Sequence, residues 1–134
     1  VTEPVFIDAN SLPMENRAVD GRDVVNWRTL FSNDRTNTSG FVMGVADIPV
    51  DAHRPSRGHS HPQAETYVIL SGLAEIRIDG HPPRMLGPNE AVHIPGGVEH
   101  IALNASDTES LRLLYMFAGV DSFDEVTYTF PPGA

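Results

Sequence analysis

The stretch GHSHPQAETYVILSG (Gly58–Gly72) places two histidines, a carboxylate and a tyrosine within nine residues, His59 to Tyr67. In an extended strand, residues two apart point the same way, so His59 and His61 share a face about 7 Å apart along it. Two imidazoles so placed can clasp one ion. Glu65 and Tyr67 have the same parity and join that face, provided that Pro62-Gln63-Ala64 does not shift the register by a bulge or loop. The same run carries Val68, Ile69 and Leu70, which belong in a core by type, so the polar groups head inside. Buried polar groups need partners, and a metal is one.

A further candidate ligand stands some forty residues on, in PGGVEHIALN (Pro95–Asn104), where Pro95-Gly96-Gly97 makes a tight reversal and His100 leads into the next strand. Antiparallel return strands bring such distant residues together. Three neutral imidazoles and one carboxylate suit Fe(II), Mn(II), Ni(II), Cu(II) or Zn(II), with geometry choosing among them, and leave one or two positions for water or substrate. The chain has no cysteine, so nitrogen and oxygen must supply every ligand. The competing reading puts His59 and His61 in a solvated loop with Glu65 as one more surface acid; Glu65 and His100, flanked by two glycine turns, weigh against it.

The elements that must position these residues read as strands. From about Val24 the sequence falls into short segments rich in Val, Ile, Phe, Tyr and Thr, each closed by Gly, Pro, Asn or Asp. Expected strands are Val24–Ser32, Phe41–Ile48, Thr66–Ser71, Ala74–Asp79, Ala91–Pro95, Glu99–Asn104, Leu111–Ala118 and Val126–Phe130. No segment beyond the first twenty residues sustains a helical apolar period, so the expected fold is all-β, a single-domain jelly-roll barrel over residues 24–134. Residues 1–23 read as an N-terminal arm, with a strand-like Val5–Ala9 and otherwise irregular polar sequence, packing on the barrel or on a neighbouring subunit. In the Leu111–Ala118 segment both faces are apolar, Leu111, Leu113, Tyr115 and Phe117 on one and Leu114 and Met116 on the other, which favours a homodimer.

A chain of 134 residues suffices for one self-supporting core. A formal charge of −9 and a pI near 4.9 argue against nucleic acid or anionic lipid as partners. With no apolar run long enough to span a bilayer and no secretory signal pattern, the expectation is a cytoplasmic protein with no membrane partner.

The site residues resemble the cupin superfamily, small β-barrels marked by G-x5-H-x-H-x(3,4)-E-x6-G and G-x5-P-x-G-x2-H-x3-N. His59, His61, Glu65 and Gly72 fill the first motif from its histidines onward, and Pro95, Gly97, His100 and Asn104 fill the second, eight positions in type and interval. Two departures stand out: Asp51 takes the place of the turn glycine ahead of a loop about two residues longer than usual, and Asn89 opens the second motif. Asn tolerates the left-handed backbone such a turn needs. The resemblance implies a cupin barrel with His59, His61, Glu65 and His100 as metal ligands. A metal-dependent lyase subset of cupins, those that cleave dimethylsulfoniopropionate, has a tyrosine at the position of Tyr67 that abstracts a proton; aromatic side chains at this position also serve as barrel filler.

Arg54 and Arg57 stand in the lengthened loop ahead of the ligands, where a guanidinium can hold a substrate carboxylate bidentately; plain solvation is the competing reading. His53, His81 and His93 read as non-ligands, Asn104 as a structural hydrogen bonder, and Trp27, Tyr115 and Phe117 as core or pocket wall. The expected activity is a metal-dependent lyase step on a small carboxylate- or carbonyl-bearing molecule, with Tyr67 or a metal-bound water removing a proton and Glu65 in the catalytic set. An Fe(II) dioxygenase, a sugar isomerase or epimerase, and a non-catalytic ligand-binding module are the alternatives. A barrel plugged with apolar side chains would favour the last.

Overall fold

The computed structural model describes residues 3–19 and 22–132. Among these residues nine strands occur: β1 (Glu15–Val19), β2 (Arg22–Phe31), β3 (Phe41–Ile48), β4 (Glu65–Ser71), β5 (Ala74–Ile78), β6 (Arg84–Leu86), β7 (Ala91–Ile94), β8 (His100–Asn104) and β9 (Leu111–Ala118). They form a six-stranded sheet in the order β1-β2-β3-β9-β4-β7 and a three-stranded sheet in the order β6-β5-β8, with every pairing antiparallel. This is the expected single-domain β-barrel.

Period-two alternation explains the strand faces. In β9 the side chains of Leu111, Leu113, Tyr115 and Phe117 are buried while Arg112, Leu114 and Met116 are half-buried. In β4, Glu65, Tyr67 and Ile69 are buried in turn. The inward set meets Trp27, Val42, Ala46, Ile76, Leu86 and Ile94 in one core. Burying a large apolar side chain fully is worth about 1.5–3 kcal/mol, so a one-residue slip in β9 would forfeit several such contributions together.

The structure corrects three expectations. Val126–Phe130 is not a strand: a 3-10 turn at Phe123–Glu125, closed by a capping box between Ser122 and Glu125, turns the chain across the barrel, and only Thr129 makes a bridge, to Ser60. Val5–Ala9 is not a strand either, because Asp8 caps a 3-10 turn at Ala9–Ser11, its carboxylate accepting from the Asn10 N–H at 3.0 Å. Conversely, the polar stretch expected to be irregular contains β1, whose backbone is satisfied by β2 whatever its side chains. Short β6 carried no readable alternation, with Arg84 and Met85 both exposed.

The first part of the arm is tied to the outer face of the large sheet. Arg28 donates to the Leu12 carbonyl at 3.2 Å and Arg112 to the Asn10 side chain at 3.2 Å. Asn89 takes the left-handed conformation expected of it, with φ 69°. Among the described residues no helix is long and apolar enough to cross a membrane.

Candidate metal centre

The segment carrying His59 and His61 is held on both sides. On one side His59 donates its backbone N–H to the His100 carbonyl at 3.0 Å, and His100 returns the bond to the His59 carbonyl at 2.8 Å. On the other, Ser60 and Thr129 exchange N–H···O bonds of 3.0 and 2.8 Å. Two glycines make this packing possible: a Cβ on Gly58 would run into the His100 carbonyl, and one on Gly96 into the Pro62 carbonyl. The Gly97 N–H bonds the His61 carbonyl at 2.8 Å, which docks the Pro95-Gly96-Gly97 reversal against the ligand segment.

His59, His61, Glu65 and His100 come together, with one potential ligand atom from each lying within 4.8 Å of the others. His61, Glu65 and His100 are almost wholly buried, and His59 is partly exposed toward the cavity. The Pro62-Gln63-Ala64 interruption therefore leaves Glu65 on the side of the two histidines.

The hydrogen bonds of the rings argue for a cation. His61 Nδ1 lies 2.8 Å from the Gln63 carbonyl and His100 Nδ1 lies 2.8 Å from the Val98 carbonyl. A carbonyl only accepts, so Nδ1 carries the proton and Nε2 of each neutral ring presents a lone pair. Those Nε2 atoms stand 3.1 and 3.0 Å from the same Glu65 Oε1, itself an acceptor. Three acceptors converging in a buried space repel unless a proton or a cation lies among them. A divalent metal meets that need at all of them at once, and the donor set fits one.

Burial pushes the Glu65 carboxyl up, but hydrogen bonds and positive charge from His100 and His61, when the rings carry a proton at Nε2, outweigh it and hold its pKa below the ordinary carboxylate value. Burial, reinforced by the neighbouring Glu65 charge, pushes the Tyr67 phenol well above 10. A bound cation favours the charged form of both groups, lowering the Glu65 carboxyl further and working against the rise at Tyr67.

Beside this cluster lies an open cavity of about 210 Å³. The barrel is therefore not plugged. Glu65, His59 and Tyr67 reach it, as do Trp27, Tyr115 and Phe117, and the lengthened loop contributes Ala52, His53, Arg54 and Pro55. Arg54 is the sole arginine or lysine among the described lining residues, and it is bonded to Glu75 at 3.0 Å and to the Asn104 carbonyl. Arg57, expected at the same mouth, does not line the cavity: its guanidinium forms a two-pronged pair with Glu99 at 2.6 and 3.1 Å. Of the remaining histidines, His81 is exposed, His93 contacts Thr66 on the outside of the barrel, and His53 lies at the exposed rim of the cavity. Asn104 holds the Ile48 and Glu109 carbonyls and the Ser106 N–H, a structural knot.

Residues 45–117 match the family model of the cupin domain. The chain belongs to the cupin family. Among curated proteins this cupin is 33% identical over 132 residues to dimethylsulfoniopropionate lyase DddW of Ruegeria pomeroyi, spanning 98% of the chain and 82% of that protein. It is 39% identical over 84 residues to dimethylsulfoniopropionate lyase DddQ of the same organism, a match covering 63% of the chain and 40% of that protein. The solved structure of DddQ superposes with a TM-score of 0.70 at 23% identity, covering 90% of this cupin and 62% of that chain. The polyketide cyclase RemF of Streptomyces resistomycificus superposes with a TM-score of 0.76 at 18% identity, over 96% of this cupin and 87% of that chain. At these identities the two structures speak to the fold.

Phe123 and Tyr128 are among the lining residues that the sequence reading did not single out. Tyr128 places its ring 5.0 Å from that of His59 and 5.3 Å from that of His61. The available signal was the alternation Tyr128-Thr129-Phe130, which reads equally as a strand.

Proposed function

We propose that this cupin is a metal-dependent lyase that eliminates dimethyl sulfide from dimethylsulfoniopropionate or an equally compact β-sulfonium carboxylate. The observation that carries the reading is the phenol of Tyr67 lining the cavity two residues from Glu65, beside the convergent histidines, in a chain whose similarity to a dimethylsulfoniopropionate lyase runs nearly end to end. The size of the cavity agrees, since it is smaller than the ~300–1,000 Å³ typical of sites for drug-sized ligands.

His59, His61, Glu65 and His100 would hold the ion, and their nitrogen and oxygen donors suit Fe(II), Mn(II), Ni(II), Cu(II) and Zn(II). Bound there, the metal supplies Lewis acidity that makes the C–H beside a carboxylate easier to ionise. Tyr67, as phenolate, takes that proton on its oxygen. The electron pair of the broken C–H bond becomes the new C=C bond while the C–S bond breaks, leaving acrylate and neutral dimethyl sulfide. Arg54 stands where its remaining N–H groups can orient the carboxylate. The aromatic walls keep water from competing for the base.

Metal-loaded protein should release acrylate and dimethyl sulfide in equal amounts from dimethylsulfoniopropionate. Failure with each of the five metals removes the reading, and oxygen uptake on turnover would replace it with a dioxygenase.

A further inference from the structure

We propose that Trp27, Phe123 and Tyr128 form the subsite for the cationic end of the substrate, an aromatic wall that selects a methylated onium group. The proposal rests on the lyase reading above and names the half of the substrate that the metal cluster does not hold.

All three rings line the cavity. Trp27 and Phe123 stack with centroids 5.3 Å apart and planes 25° from parallel, and Phe123 stands 6.1 Å from Tyr128. Phe117 continues the wall at 6.0 Å from Phe123. The ring set is assembled from distant parts of the chain: Trp27 from β2, and Phe123 and Tyr128 from the C-terminal segment that Thr129 fastens to Ser60. Trp27, Phe123 and Tyr128 all lie outside the residues matched by the cupin model, whereas the four candidate ligands lie within them. The wall is thus built from parts of the chain on either side of the segment that carries the candidate ligands.

A sulfonium or quaternary ammonium group has no N–H or O–H to donate, and its charge is spread over methyl groups. Carboxylates and carbonyls therefore recognise it poorly at close range, while aromatic faces attract it through their quadrupoles, tryptophan most strongly. The Trp27 indole N–H is buried without a hydrogen-bond partner. A position needing apolar volume alone would be better filled by a side chain with no donor to strand. Trp27 brings to the cavity the ring type that attracts a cation most strongly.

The test measures binding without turnover, by calorimetry on the full-length metal-loaded protein. The two probes are β-alanine betaine and its neutral isostere carrying a tert-butyl group in place of trimethylammonium. Both present the same carboxylate and the same shape, so only the charge on the tail differs. The betaine should bind about tenfold tighter or more. Phe123→Leu and Tyr128→Leu should each draw the ratio of the two affinities toward one. Equal affinity of the two probes, no measurable binding of the betaine, or a ratio indifferent to both substitutions would overturn the subsite. Acrylate release with equal probe affinities removes the subsite and leaves the lyase; charge preference without acrylate release keeps the subsite and removes the lyase.

Discussion

His59 and His100 face each other across a two-bond bridge, N–H to carbonyl in both directions, which places their rings 4.8 Å apart. A pairing of backbones thus sets two candidate ligands on one side before any metal arrives. Gly58 lies against this bridge, and its lack of a side chain lets the strands close.

Gly58→Ala should accordingly cost about 1–3 kcal/mol, because the new methyl meets backbone that cannot swing aside. The same displacement moves His100, so bound metal should fall with stability. Chemical denaturation and elemental analysis of one preparation check both.

His61→Ala, His100→Ala and Glu65→Gln should each lose most of the bound metal. Glu65→Gln is the sharpest of the three: it keeps the shape but removes the charge that balances the cation. Metal content of untagged protein decides, and retention in all three variants would undo the ligand assignment.

Tyr67→Phe should keep the metal and the fold while lowering turnover of dimethylsulfoniopropionate by about 10²–10⁴-fold, the usual worth of a positioned base. Unchanged turnover would return Tyr67 to the role of barrel filler.

Glu15 joins Arg35 through bonds of 2.6 and 3.2 Å and accepts from the Thr29 N–H at 3.2 Å. Burial raises the carboxyl, but Arg35 and Thr29 outweigh it and leave the pKa below its ordinary 4.5. A carboxyl depressed by folding stabilises the native state above its unfolded value and loses that contribution as pH falls through its folded value. Arg35→Ala should therefore be less stable than the parent at neutral pH by about 1 kcal/mol or less, with the gap closing as the pH is taken below about 4.5. Urea melts of both proteins across that range measure it.

Much of the barrel was legible because strand alternation is local. The expected Phe41–Ile48 and Leu111–Ala118 strands match β3 and β9 to the residue, and β4, β5, β7 and β8 differ from expectation by one residue at an end. The misses share a cause. β1 and β6 owe their existence to a neighbour's hydrogen bonds, which leave no trace in their own side chains. Val126–Phe130 has strand-like composition but finds a single bridging partner, Ser60, across the barrel mouth.

On its own, the sequence determined the kinds and intervals of the donor atoms and the parity that pairs His59 with His61 and Glu65 with Tyr67, because side-chain direction in extended chain is set by nearest neighbours. That both pairs face one side across the Pro62-Gln63-Ala64 interruption was decided by the structure. Tertiary structure alone decided which strands lie side by side, that Arg57 spends its guanidinium on Glu99 while Arg54 reaches the cavity, and that Phe123 stacks on Trp27 and meets Tyr128. Those outcomes hang on contacts between residues tens of positions apart, and such contacts are chosen by how the whole barrel closes rather than by any local run of residues.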